Sequence, residues 1–355
     1  MLMLNENIKI AIVGGTGFDS IEGFNSKPSE IITPYDKVYD PVDCESVSPP
    51  VDVEEGTIEG AEGVEVLLIK RHGAGHTVPA SQVNHRANAY AAFQWGADFA
   101  VGITAVGSLD PRINVGDFVV LNRMFRQDPP SSELDFYGRH ATVHMDMKEP
   151  FSTNISRFIY RACNHVLSVE FGKPSSDTPN FDCYKHLNST SGAKVTLYPT
   201  GGIALINKNN SFSTPEESKR YREGGLNVVG MTTYEALPFA LLGIPYGALA
   251  LPVDRDNLKG ENQVTQATVD ENVGLFRDRV GKIIHTIAQF KMNNLLSPNI
   301  NPDLELTYVK KEAMLRLGNS VIGGRVRESL RERDKPLFDN LEKAIRLAEE
   351  SRGNQ

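Results

Sequence analysis

The chain has few cysteines, no long apolar run and no basic block, and each shortage removes a class of protein. Its three cysteines, Cys44, Cys163 and Cys183, are odd in number, widely spaced and form no C-x-x-C pair. Neither a disulfide framework nor a zinc site is expected, and the thiols read as buried or idle. No apolar stretch nears the roughly 20 residues of a membrane span. The start, MLMLNENIKI, lacks the basic-then-apolar layout of a secretory leader. The expected compartment is the cytoplasm, with no membrane partner. Lys and Arg are scattered and the formal net charge is −8. A nucleic-acid binder needs a basic stripe to displace counterions, so no nucleic acid is expected and a small substrate fits better.

At 40% hydrophobic and 23% charged residues, the composition is that of a folded globular chain with room for one large α/β core or two small ones. Strand-like runs start with IKIAIV at Ile8 and recur over 64–69, 99–104, 117–121, 194–198, 227–231 and 246–251. Helical spacing fills 84–95, 151–169, 215–223, 234–242 and 266–291. That alternation predicts a largely buried sheet covered by helices. Residues 24–60, rich in Pro, Asp, Ser and Glu, are expected as loop or edge structure. From Asn293 a Pro/Asn linker leads into a charged tail in which Phe338, Leu341, Ile345 and Ala348 repeat at 3-4-3 spacing. This predicts an amphipathic helix seated on the core or on another subunit. The expected division is a 1–292 domain and a 293–355 helical extension.

The first strand breaks into Gly14, Gly15, Thr16 and Gly17, where backbone N–H groups can approach an anion closely. A dinucleotide fingerprint needs a further glycine where Ser20 stands and a helix after it, and a Walker loop needs G-K-[ST]; the chain has none of these. Arg71 and His72 follow the strand at 64–69 and offer a fork of donors to an oxyanion. Thr104 to Ser108 and Met231 to Thr233 put hydroxyls and small residues at two further strand ends. Four donor-bearing strand ends suggest one shared anion site. The last strand leaves into Pro252-Val253-Asp254-Arg255-Asp256-Asn257. If strand geometry continues there, the two carboxylates point the same way and suit a purine edge or protonation of a ring nitrogen; otherwise they cap a turn.

GGTGFD, RHGAGHTVPASQVNHRANAYA, ITAVGSL, VGDFVVLNRMFRQ, FYGRHATVHMDMKEPF, VVGMTTYEA and PVDRDN occur in this order over about residues 8–290. Together they resemble the 5′-methylthioadenosine phosphorylases, a branch of the trimeric purine nucleoside phosphorylases. The resemblance implies an α/β fold: a single domain whose central mixed sheet, partly barrel-like, is flanked by helices, with the tail as a helical C-terminal extension. It implies phosphorolysis of the N-glycosidic bond of a 5′-modified purine nucleoside, giving adenine and a 5-substituted ribose 1-phosphate. No metal or organic cofactor is implied; inorganic phosphate is the co-substrate, and the assembly a homotrimer or a dimer of trimers.

Carried over by position, Thr16, Arg71, His72, Thr104, Ala105 and Thr232 would hold phosphate. Met231 would lie against the ribose, Phe212 over the purine with Ser213 beside it, and His144 would reach a 5′ pocket across a subunit interface. The bond breaks with oxocarbenium character, and protonation at N7 relieves the charge on the leaving purine. Asp256, backed by Asp254, is the expected proton donor, its pKa raised by burial beside a second carboxylate. Two departures stand out. The family's Glu-Gly-Pro-Arg-Phe segment is replaced by the longer run from Tyr198 to Phe212, and the Pro after MTT is missing. The altered segment would border the base, which leaves a phosphorylase or hydrolase of another purine nucleoside, or a non-catalytic nucleoside-binding protein, as alternatives.

Overall fold

Strand β1 (Ile8–Gly14) buries Ile10 and Ile12 on one face and Ala11 and Val13 on the other, the period-2 signature of a strand covered on both sides. The computed structural model describes residues 7–18, 20–21, 23–29, 31, 51–126, 135–137, 141–171, 185–188, 194–206, 211–231, 233–257, 264–289, 302–323 and 335–353. After β1 come β2 (Phe24–Pro28), β3 (Val53–Ile58) and β4 (Val64–Lys70), then helix α1 (His85–Trp95) and β5 (Phe99–Ser108). Next are β6 (Phe118–Arg126), β7 (Thr142–Val143), α2 (Thr153–Phe171), β8 (Lys185–Asn188) and β9 (Lys194–Leu205). They are followed by α3 (Pro215–Glu223), β10 (Val228–Gly230), α4 (Ala236–Leu241), β11 (Tyr246–Asp254) and α5 (Gln266–Gln289). The tail holds α6 (Pro302–Asn319), β12 (Val321–Gly323) and α7 (Lys335–Gly353). Local signals set several boundaries: the Asn84 side chain caps α1 and Gly96 ends it at φ 85°, while Thr214 and Glu217 form a capping box on α3 with Pro215 in its first turn.

The main sheet runs β10-β9-β6-β11-β5-β1-β4-β3-β2, and β10 also pairs with β5, closing five strands into a ring. Three parallel and two antiparallel pairs make up that ring, so the mixed, partly barrel-like sheet is observed. The 24–60 segment supplies β2 and β3 as the sheet's edge, within its described residues. One apolar layer joins the sheet to α2 and α5; the other joins it to α1, α4 and the tail. The tail helix seats on its own chain's core: Phe338, Leu341, Ala344 and Ala348 are buried, and Asn340 Nδ2 donates to the Leu242 carbonyl over 2.9 Å. Helix α6, which the sequence reading left inside an undivided charged tail, crosses α7 so closely that a methyl on Gly318 would collide with the Ala344 carbonyl.

Strand β5 positions the site. It pairs with β1 only over Phe99 to Gly102, and from there to Gly107 it runs with β11 alone before meeting β10. Beyond Gly102, β1 and β5 part, opening a crevice at the carboxyl ends of the strands where an open α/β sheet takes ligand.

Candidate functional site

A cavity of about 740 Å³ fills that crevice. The loop Gly14–Gly17 forms one wall, His72 to Thr77 a second, and Thr104 to Gly107 of β5 the floor. Val229, Gly230 and Met231 close one side, Phe212 the rim, Asp254 the base, and Val269, Asp270, Val273 and Arg277 of α5 the far side. The loop geometry is enforced: Gly17 sits at φ +75°, and a methyl there would strike Val273 Cγ1 at 2.1 Å.

The structure therefore gathers Thr16, His72, Thr104, Ala105, Phe212, Met231 and Asp254 at one cavity. Thr232 lies outside the described residues. His144 is exposed on the chain's surface next to β7, bonded through its N–H to the Ser320 carbonyl, and does not line this cavity.

Arg71, expected to hold the anion, does not line this cavity in the ligand-free chain. Its guanidinium is fully buried; it donates to the carbonyls of Gly14 and Val13 at 3.2 and 3.1 Å and to that of Ile103, and it pairs with Glu235 Oε1 at 3.2 Å. His85 Nδ1 stands 3.0 Å from the same Glu235 oxygen. Burial raises the Glu235 carboxyl, but the charges of Arg71 and His85 outweigh it and hold the group well below the usual carboxylate range. This buried cluster ties the glycine loop to β5. His72, with Nδ1 2.9 Å from the Val78 carbonyl and its ring stacked on His76, is lowered to about 4 by burial and by the Arg71 charge, so it is neutral at pH 7.

Only one of the two carboxylates lines the cavity. The β11 register shifts between Pro252 and Asp254, the strand ends at Asp254, which lines the cavity, and Asp256 lies beyond the strand end. Asp256 Oδ2 accepts from Ser213 Oγ at 2.9 Å and from Ser218 Oγ, and Asn257 Nδ2 fixes the same segment through the Ser213 carbonyl at 2.7 Å. Burial raises the Asp256 pKa and the two serines oppose the rise. Asp254 has no such help: Oδ1 is buried with no hydrogen-bond partner among the described residues. Burial and then the Asp256 charge push it up to about 7. Of the pair, Asp254 is thus the carboxyl that lines the cavity, and Asp256, expected from the sequence as the proton donor, is anchored by the two serines beside it.

Residues 9–289 match the family model of the phosphorylase superfamily. The chain belongs to that superfamily. Among named relatives, an S-methyl-5′-thioadenosine phosphorylase of Ciona intestinalis is 27% identical over 308 residues, covering 85% of this chain and 94% of that protein. A probable S-methyl-5′-thioinosine phosphorylase of Pseudomonas syringae is 28% identical over 282 residues, 79% and 96% of the two chains. The methylthioadenosine phosphorylase of Schistosoma mansoni, solved with adenine, shares the fold at TM-score 0.69 and 24% identity, covering 89% of this chain and 99% of its own.

Within this superfamily member, some residues that matter escaped the sequence reading. Glu235, Ser218 and the α5 side chains act from elements far from the glycine loop in sequence, and only the four-residue spacing of Val269 and Val273 hinted at an inward face. Gly107 is another. A methyl on it would lie 2.7 Å from Asp254 Oδ1 and 2.8 Å from Asp256 Cβ, both inside normal contact. Gly107→Ala is expected to leave a folded protein whose turnover is at least about tenfold lower, because misplacing a reacting group by an ångström costs up to about 10²-fold; steady-state rates beside a circular dichroism spectrum check it.

Among the described residues, no three His, Cys, Asp or Glu side chains gather as metal ligands, and no helix is long and apolar enough to cross a membrane.

Proposed function

We propose that this chain cleaves the N-glycosidic bond of a 5′-modified adenine nucleoside of the 5′-methylthioadenosine kind with inorganic phosphate, releasing adenine and a 5-substituted ribose 1-phosphate. Asp254 carries the reading: a buried carboxyl at the cavity base, protonated near neutrality, can give its proton to N7 as the C1′–N9 pair moves onto the purine. Phosphate, held at Thr16 and Thr104 beside the glycine loop, meets C1′ from the other side, and Phe212 at the rim covers the base. Met231 lies where the ribose would run. The named relatives, which include methylthioadenosine phosphorylases, support the substrate class.

The reading requires no cofactor beyond phosphate as co-substrate, and added chelator is expected to leave the rate unchanged. It also assigns catalysis to residues 1–292, since α6 and α7 brace α4 and line no described part of the cavity. The exposed position of His144, away from its own cavity, supports a homotrimer in which it serves a neighbouring copy. The test is purified protein with 5′-methylthioadenosine, with and without millimolar phosphate, following adenine and the sugar by mass spectrometry. Adenine with a sugar phosphate, only when phosphate is present, is the expected result. Adenine with free sugar under both conditions would mean a hydrolase, and no adenine under either would turn the reading toward binding without turnover.

A further inference from the structure

The glycine loop needs a cation for a phosphate dianion, and the nearest one is committed elsewhere. Three carbonyls and Glu235 take up the Arg71 guanidinium below the loop. Lys70, on the cavity wall, is paired with Glu54. His72 is neutral at pH 7, since burial and the Arg71 charge lower it to about 4.

Arg277 is different. It projects from α5 one turn after Val273, lines the cavity and is exposed. It makes no hydrogen bond or ion pair with any described residue. Its Nη2 lies 3.6 Å from where a methyl on Gly17 would sit, and Val273, in contact with that same glycine position, fixes the helix against the loop. Asp270, on the same helix, also lines the cavity but is not paired with it.

We propose that Arg277 supplies the charge that holds phosphate at the glycine loop, with Arg71 acting beneath it as a positioning residue. A guanidinium suits this place because its planar fork can meet two phosphate oxygens at once and it stays charged at any working pH. Sitting on a helix outside the glycine loop, it adds affinity for the nucleophile without touching the nucleoside.

This inference rests on the phosphorolytic reading, and the experiment separates the two. Equilibrium dialysis of radiolabelled inorganic phosphate against the full chain, without nucleoside, is compared for wild type, Arg277→Gln and Arg277→Lys, followed by separate KM values for phosphate and nucleoside. The expected result is that Gln weakens phosphate binding and raises its KM by about tenfold to a hundredfold, the scale of a lost charged hydrogen bond. Lys restores part of the loss, and the nucleoside KM stays within about twofold. Raised salt should weaken wild-type binding more than that of the Gln variant, because an exposed charge is screened. Phosphate binding unchanged by Gln, or a loss confined to the nucleoside KM, overturns the assignment while leaving phosphorolysis standing. A wild-type chain that takes up no phosphate overturns both.

Discussion

Replacing Asp254 with Asn is expected to lower kcat for glycosidic cleavage by about 10² to 10⁴-fold, the usual worth of general-acid help, while nucleoside binding stays within a few fold. The buried Oδ1 has no hydrogen-bond partner among the described residues, so the amide can occupy the same space without breaking a network described there. The pH profile gives a sharper signature. With a pKa near 7 in the free chain the acid form is the working form, so wild-type kcat/KM should fall about tenfold per unit above neutrality and level off below it. The D254N variant should lose that limb.

Stability moves the other way. Between the ordinary carboxylate pKa of 3.8 and about 7, the folded chain binds a proton that the unfolded chain has released. Stability contributed by this site therefore falls as pH rises through that window, and the charged form costs most above pH 7. D254N removes the cost, and its unfolding midpoint in urea should exceed that of wild type at pH 8, by an energy on the order of 2–4 kcal/mol, while the two converge near pH 4. A variant that is less active and yet more stable at pH 8 would mark a group held out of its preferred state for chemistry.

The second large effect belongs to Glu235. Glu235→Ala leaves Arg71 fully buried with its counter-charge gone, and breaking a buried pair from one side costs about 3–5 kcal/mol. Urea unfolding at pH 7 measures it. The carboxyl is held below its ordinary 4.5, so its contribution is present above that pH and is lost as pH falls through its depressed folded value. The difference between wild type and variant should therefore persist from pH 8 to pH 5 and shrink in stronger acid. Arg71→Met with Glu235→Leu, which empties the site of both charges, should recover much of the loss, since apolar replacements of a buried pair are often neutral. Activity should not recover with it, because the carbonyls of Val13, Gly14 and Ile103 lose the guanidinium that fixes their spacing.

Much of this was legible in the chain itself. Buried apolar runs announced β1, β4 and β11, and helical spacing announced α1, α2 and α5. Periodicity reports one segment at a time, and it stopped β5 at Thr104 because nothing in the run ITAVGS shows that the strand leaves β1 and goes on beside β11 to meet β10. The same limit shaped the site. A strand-exit Arg next to His resembles an anion fork, and the acceptors that consume Arg71, the carbonyls of Val13, Gly14 and Ile103 and the Glu235 carboxylate, all arrive from segments remote in sequence. Two aspartates at i and i+2 share a face only on a regular strand; β11 ends at Asp254, and the serines at 213 and 218 hold Asp256 beyond it. Arg277 was hidden in another way, for on an amphipathic helix a lone Arg looks like solvated surface until the glycine loop is seen to pack beside it.

The ring of strands has a further consequence, in the order of folding. It closes where Val228 and Val229 of β10 pair with Ser108 and Gly107 of β5, a union of segments far apart in sequence. Contacts of that span form slowly, because the chain between them must lose its freedom before the pairing gives anything back. Until the ring closes, Gly107 has no Val229 across from it and Met231 has no fixed place over the floor. In a refolding chain, then, helices and the open half of the sheet are in place while the cavity is still unmade, and activity is the last property to return.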